Sequence, residues 1–239
     1  MKVSIITVCK NRKDVIEVAV KSVLKQTWGN REYIIIDGGS TDGTLEIVEK
    51  YRNGIDIVVS EEDLGIYHAM NKGIRLAKGD IVYFLNSDDS LYDQDVLSDI
   101  VRRFRMGNPV AVYGNILLVD SVNEDVIKYD HVDRHFFLHN TICHQAIFAR
   151  KALFQEIGLY DIRYTVYADV DWLIKAFLKY SSSFRYYDRM ICRYACTGIS
   201  AEAFYDKTYV RERLQILSKY FWRSRLSLSL KKALGLITL

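Results

Sequence analysis

The chain has 239 residues, 49% of them hydrophobic and 26% charged. That balance gives ample core for one α/β domain with an appendage and excludes an intrinsically disordered chain. Its 33 basic and 30 acidic residues leave a net charge of +3, too even for the cationic surface that a nucleic-acid partner demands.

The opening Met1–Cys9 segment lacks the apolar stretch and small-residue cleavage site of a secretory signal. No apolar run reaches the roughly 20 residues that span a bilayer, so a cytoplasmic location is expected. Cys9, Cys143, Cys192 and Cys196 show no paired spacing. Free thiols in a reducing compartment are expected from them, and a zinc site is not.

Residues 3–9 form an apolar, β-branched run followed at once by Lys10, Asn11 and Arg12. Helical spacing of Val15, Ile16, Ala19 and Val23 predicts a helix over 14–26. A second strand at 33–36 ends in Asp37-Gly38-Gly39-Ser40-Thr41-Asp42-Gly43, and a helix is predicted over 44–52. A third strand at 55–59 ends in Ser60-Glu61-Glu62-Asp63, and residues 65–77 read as a helix. The fourth strand, 81–85, is five apolar residues that stop at Asn86-Ser87-Asp88-Asp89-Ser90.

Strand–helix alternation with a spacing of about 25 residues marks right-handed βαβ units on a parallel sheet. All four polar clusters then lie along one carboxyl edge, where ligands of open α/β sheets bind. Adjacent carboxylates such as Asp88 and Asp89 repel unless a cation or a hydrogen-bond network compensates them. A divalent Mg²⁺ or Mn²⁺ ion suits their oxygens, and a nucleoside diphosphate can complete its shell. Capping of the next helix by Asp89 or Ser90 is the purely structural alternative. Neither a Gly-x-Gly-x-x-Gly turn nor a Gly-Lys-Ser/Thr loop is present, which disfavours dinucleotide and P-loop phosphate binding.

Beyond Ser90 a helix is predicted at 93–105, then two runs, 110–119 and 126–129, that suit a hairpin. Cys143–Phe148 reads as another strand, 151–157 as a helix, 167–180 as an apolar helix and 184–196 as a return to the sheet. The last 40 residues interleave eight Lys or Arg, from Lys207 to Lys232, with aromatic and leucine residues. Such a basic amphipathic segment can lie on an anionic membrane surface. It can equally pack its apolar face on the domain.

Taken together, Ser4–Val8 with Asn11-Arg12, the Asp37–Thr44 cluster, Asp63–Tyr67, Ala69–Ile74 and Asn86–Asp89 resemble the family-2 inverting glycosyltransferases. The likeness is strongest over residues 1–90 and recognisable again over 140–180. It implies a GT-A fold: α/β, Rossmann-like, with a mixed, mostly parallel central sheet flanked by helices. It covers residues 1–200, with a nucleotide-binding half (1–90) and an acceptor half (91–200), while the basic amphipathic pattern sets apart a helical C-terminal tail (201–239).

By the same resemblance, Thr7, Asn11, Arg12, Asp37, Asp63, Lys72, Asn86 and Ser87 would contact a nucleotide-sugar, with Asp37 accepting from a uracil or guanine N–H. Asp88 and Asp89 would hold Mn²⁺ or Mg²⁺, although Asn86 stands where the family's first Asp is usual. Asp169 would be the general base, with Asp171 as fallback and Ala168 in place of the family's Glu. His144, Gln145 and Trp172 would border the acceptor, although a hydrogen-bonded core histidine explains His144 nearly as well and aromatics at such spacings are more often core. The implied activity is metal-dependent inverting transfer of a sugar from a UDP- or GDP-sugar to a hydroxyl of a saccharide or lipid-linked glycan in surface polysaccharide assembly. A non-catalytic nucleotide-sugar-binding subunit is the alternative, prompted by Asn86 and Ala168.

Overall fold

A computed structural model describes residues 1–120, 123–195 and 207–221. Strands β1 (Val3–Cys9), β2 (Arg31–Asp37), β3 (Ile57–Ser60) and β4 (Ile81–Phe84) are parallel, in the order β3-β2-β1-β4. The sheet continues through β8 (Ile147–Arg150), antiparallel to β4, and β6 (Ala111–Val119), antiparallel to β8. Strand β9 (Phe184–Ala195) lies parallel to β6, and the two-residue β5 (Ser90–Leu91) closes the path antiparallel to β9. A hairpin pairs β7 (Glu124–Ile127) with β6, off that path.

Helices α1 (Ile16–Leu24), α2 (Thr44–Glu49) and α4 (Val96–Gly107) cover one face. The other carries α3 (Ile66–Leu76), α5 (Phe136–His139), α6 (Lys151–Ile157), α7 (Ala168–Tyr180) and α8 (Lys207–Phe221). Successive strand residues point to opposite faces. Val3, Ile5, Tyr33, Ile35, Ile81 and Tyr83 therefore pack with α1 and α4, while Ile6, Val8, Ile34, Ile36, Val82 and Phe84 pack with α3, α6 and α7. Burial on both faces is why these strands are continuously apolar rather than alternating. Gly73 lets α3 lie close on β1, since a Cβ there would stand 2.5 Å from Ile6 Cγ2.

The mixed α/β sheet agrees with the expected class, with local differences. The 44–52 helix ends at Glu49 and passes into a 3₁₀ turn, Arg52–Gly54. Helix α4 starts at Val96, so neither Asp89 nor Ser90 caps it; Ser90 instead begins β5. The 143–148 strand starts only at Ile147, because His144–Ala146 forms a 3₁₀ turn.

The described part of the C-terminal segment packs on the domain. Ile216, Leu217 and Phe221 of α8 are buried in the same core as α7. Lys219 Nζ lies 2.8 Å from Asp171 Oδ1. The remaining residues proposed to form a basic aromatic tail, 201–206 and 222–239, and Cys196, lie outside the described residues. Among the described residues, Cys9, Cys143 and Cys192 are free thiols, and no helix is long and apolar enough to cross a membrane.

Candidate active site

The parallel strands end in register, with Cys9 opposite Asp37 and Asp37 opposite Ser60. The loops beyond them are held by short polar side chains. The buried Asp37 carboxylate accepts from Gly39 N (3.1 Å), Ser40 N (2.9 Å), Ser60 Oγ (2.7 Å) and Ser40 Oγ. Asn11, at φ 53°, accepts from Thr41 N at 2.9 Å, and its own N–H donates to Ser40 Oγ at 2.7 Å. Asp42 and Thr44 tie the same loop to Arg12 and Lys13.

A cavity of about 640 Å³ opens at this edge. Arg12, Asp63, Asn86, Ser87, Asp88 and Asp89 line the side formed by the strand ends, and His144, Gln145 and Asp169 line the opposite side. The other expected contacts are elsewhere. Thr7 is buried beneath the edge against the Tyr33 hydroxyl, and Asp37 and Asn11 organise loops. Lys72 pairs with Asp63 (2.5 Å) and Glu61 (2.8 Å) instead of facing the cavity. Asp171 is buried against Lys219. Trp172 stacks on Phe154 at 4.2 Å and donates to Gly158 O, as a core residue does.

The two strand-end acids differ. Asp89 is buried, accepting from Gln145 Nε2 (2.6 Å) on one oxygen and Ala195 N (2.8 Å) on the other. Burial, reinforced by the neighbouring Asp88 charge, pushes its pKa up to about 7. Gln145 is thereby a support for Asp89, brought to the end of β4 because its 3₁₀ turn leads into β8, the antiparallel neighbour of β4. Asp88 is half-buried and lines the cavity. Among the described residues no three His, Cys, Asp or Glu are arranged to cage an ion. One carboxylate facing an open cavity nevertheless fits Mg²⁺-type binding, in which substrate phosphates and waters supply most of the shell.

Across the cavity, Asp169 stands in the first turn of α7. Its Oδ1 accepts from Val170 N (2.9 Å) and lies 2.8 Å from the Tyr67 hydroxyl, whose one proton is shared with Val166 O (2.5 Å), and its Oδ2 faces His144 Nδ1 at 2.9 Å. The other ring nitrogen, Nε2, lies 3.1 Å from Asn86 Oδ1, so imidazole joins the two walls. Burial acts to raise the Asp169 carboxyl, but His144, Tyr67 and the Val170 N–H together hold it below the usual carboxylate range.

The segment before α7 is fixed from α8. Buried Glu212 accepts from Thr165 N, Thr165 Oγ1, Val166 N and Tyr167 N at 2.8–3.1 Å. Sequence reasoning missed Glu212, which looks like one more charge on an amphipathic helix. It also missed the role of Tyr67, whose only signal is its place in the Gly65-Ile66-Tyr67 helix start. Much of the remaining cavity wall is apolar, with Met70, Ile116, Leu118, Ile142, Tyr194 and Tyr209 contributing beside Lys10, Thr141 and Thr165.

A mixed sheet carrying acidic strand ends beneath such a cavity defines a GT-A-type glycosyltransferase architecture. The Glycosyl transferase family 2 profile matches residues 4–204, and the chain belongs to that family. It is 35% identical over 212 residues to a "PGL/p-HBAD biosynthesis glycosyltransferase" of Mycobacterium bovis, covering 87% of this chain and 82% of that protein. A "Cholesterol galactosyltransferase" of Borreliella burgdorferi is 33% identical over 109 residues, 45% of this chain and 30% of its own.

In fold, the chain is similar to S. aureus TarS 1–349 in complex with UDP-GlcNAc, with TM-score 0.76, 21% identity and coverage of 92% of this chain and 68% of that one. It is also similar to the mannosyltransferase PcManGT of Pyrobaculum calidifontis in complex with GDP-Man and Mn²⁺, with TM-score 0.67, 20% identity and coverage of 93% and 65%. The chain spans 44% of the longer TarS chain. At these identities the structural likeness carries the fold.

Proposed function

We propose that this protein transfers a sugar, with inversion, from a UDP- or GDP-sugar to the hydroxyl of a lipid-linked or otherwise apolar acceptor in surface polysaccharide or glycolipid assembly. The carrying observation is the single cavity that faces Asn86, Ser87 and Asp88 on one side and the His144–Asp169 pair on the other.

Arg12, Asp63, Asn86 and Ser87 contact the donor in this reading, and Asp88 holds Mn²⁺ or Mg²⁺ together with its diphosphate. Bound there, the ion supplies Lewis-acid stabilisation of the leaving nucleoside diphosphate. Asp169, with His144 against it, is the base that takes the acceptor proton, a contribution of about 10²–10⁴-fold. The apolar wall built by Ile116, Leu118, Ile142 and Tyr194 favours an acceptor with a hydrocarbon or aromatic portion over a wholly polar one. Because α8 packs its apolar residues on the domain, attachment to an anionic membrane would rest on residues 222–239.

Incubation with a panel of UDP- and GDP-sugars and Mn²⁺, scoring released nucleoside diphosphate, tests the reading. Release from at least one donor, falling by about 10²-fold or more in Asp88→Ala, is expected. Donor binding without any turnover would instead support the non-catalytic subunit.

A further inference from the structure

We propose that Tyr67 is a positioning residue of the reaction: its one hydroxyl proton passes between Asp169 Oδ1 and Val166 O as the base changes charge. The proposal rests on the transferase reading above and adds to it the group that supports the base in both of its states.

The hydroxyl stands between two acceptors, 2.8 Å from Asp169 Oδ1 and 2.5 Å from Val166 O, and a phenol has a single proton to give. Turning that O–H about the Cζ–Oη bond changes its partner without moving the ring, which is buried edge-on against Tyr160 at 5.6 Å. Burial and the Asp169 charge hold the phenol well above its usual range, so Tyr67 remains a donor. The second acceptor is itself strengthened from α8. Val166 O shares a peptide with Tyr167 N, and that N–H donates to the buried Glu212 Oε2 at 3.1 Å. Hydrogen bonds in such a chain polarise one another, so the Glu212 contact makes Val166 O a better acceptor.

While Asp169 is ionised, donation to its Oδ1 is charge-assisted and is the stronger of the two bonds. Val170 N occupies the same oxygen at 2.9 Å, whereas Oδ2 faces His144 Nδ1 alone among the described residues. A carboxylate oxygen accepts on two lone pairs, so Oδ2 keeps one for the acceptor proton. The side chain is 17% exposed, at the cavity wall. The other titratable groups near Asp169 are His144, Tyr160, Tyr167 and Cys143.

In the step, the acceptor O–H bond breaks and its proton passes to Asp169 Oδ2 as the oxygen lone pair forms the bond to the anomeric carbon. The bond from that carbon to the diphosphate oxygen breaks, its electron pair leaving with the nucleoside diphosphate. Oδ1 is then the carbonyl of a neutral acid, the charge assistance is gone, and the Tyr67 proton turns to Val166 O. Only the difference between the two bonds opposes protonation, so Asp169 takes the proton without leaving the phenol unpaired. The turn reverses when solvent removes the proton from Oδ2.

Titration of Asp169 itself tests this, by NMR of the full chain isotopically labelled at aspartate Cγ, with the Asp169 signal identified by its loss in Asp169→Asn. The midpoint should lie about one pH unit higher in Tyr67→Phe than in wild type, because a donor to the charged form is gone. Replacing Tyr67 by a ring-fluorinated tyrosine keeps the hydroxyl and makes it a stronger donor, so the midpoint should move the other way. With the UDP- and GDP-sugar panel, Mn²⁺ and water as acceptor, Tyr67→Phe should lower kcat by about 10–10²-fold and leave nucleoside diphosphate affinity unchanged. Equal midpoints in the three proteins, shifts of the same sign from both replacements, or an unchanged kcat in Tyr67→Phe would reduce Tyr67 to packing and overturn the proposal. Should Tyr67→Phe not fold, the fluorinated protein decides alone, an unmoved midpoint overturning it. A wild type that turns over no donor while the midpoints keep their order would sink the transferase reading and leave the Tyr67–Asp169 coupling standing.

Discussion

The two walls of the cavity are built in different ways. On the side of the strand ends, polar loop residues hold one another, locally as Asp37 with Gly39 and Ser40 and Asp42 with Thr44, and between neighbouring loops as Asn11 with Thr41, 30 residues apart. On the opposite side the main contacts span more of the chain. His144 meets Asn86 across 58 residues, Tyr67 meets Asp169 across 102, and Glu212 reaches Thr165 across 47. Many conspicuous polar residues of the first wall are therefore structural, whereas the second wall concentrates its chemistry in a few residues held by remote elements.

The sharpest way to break that contrast is at Asp169. Asp169→Asn should reduce kcat by about 10²–10⁴-fold while leaving nucleoside diphosphate affinity close to wild type, because it removes the charge opposite His144. Steady-state kinetics beside calorimetric titration would check it. A loss confined to donor affinity would place Asp169 on the donor wall instead.

Asp89, at the seam between the walls, should show itself in the pH dependence of stability. Its pKa is raised from 3.8 to about 7, so the native state favours the protonated carboxyl. Below pH about 4 both folded and unfolded chains hold that proton and there is no penalty. As pH rises toward about 7 the unfolded chain ionises first, and stability falls by on the order of 4 kcal/mol. Urea unfolding of the metal-free protein between pH 4 and 8 should show this component, and Asp89→Asn should remove it. Asp169, whose pKa is depressed, acts with the opposite sign, losing its contribution as pH falls below the usual carboxylate range.

Glu212→Gln probes the remote support of the wall that carries Asp169. An amide keeps one acceptor oxygen but turns an NH₂ toward the Thr165–Tyr167 donors, stranding buried N–H groups at a cost of about 2–4 kcal/mol. Lower stability in urea together with lower kcat is expected, and unchanged kcat would show that Asp169 keeps its place without α8. The smallest effect should come from Lys72→Gln. Since Lys72 is directed to Asp63 and Glu61, nucleoside diphosphate affinity should change by less than about threefold, under about 0.7 kcal/mol. A tenfold loss would mean that the lysine leaves this pair to meet the phosphates.

The amino-acid order by itself determined the sheet's parallel core. Apolar runs of strand length, buried on both faces and each ending in polar loop residues, leave few other ways to hide that surface, so β1 to β4 and the shared edge were legible. Asn86–Asp89 were legible as a site for the same reason: they interrupt an apolar strand at the edge where ligands bind. Only the tertiary structure decided what each acid does there. Asp37 and Asp88 are both carboxylates at strand ends, yet one satisfies loop N–H groups and the other lines the cavity. Neither β5, too short to register as a pattern, nor the 3₁₀ turn that aims His144 at Asp169 was visible. Side-chain roles of this kind depend on which distant groups arrive within hydrogen-bonding distance, and local periodicity carries no record of those arrivals.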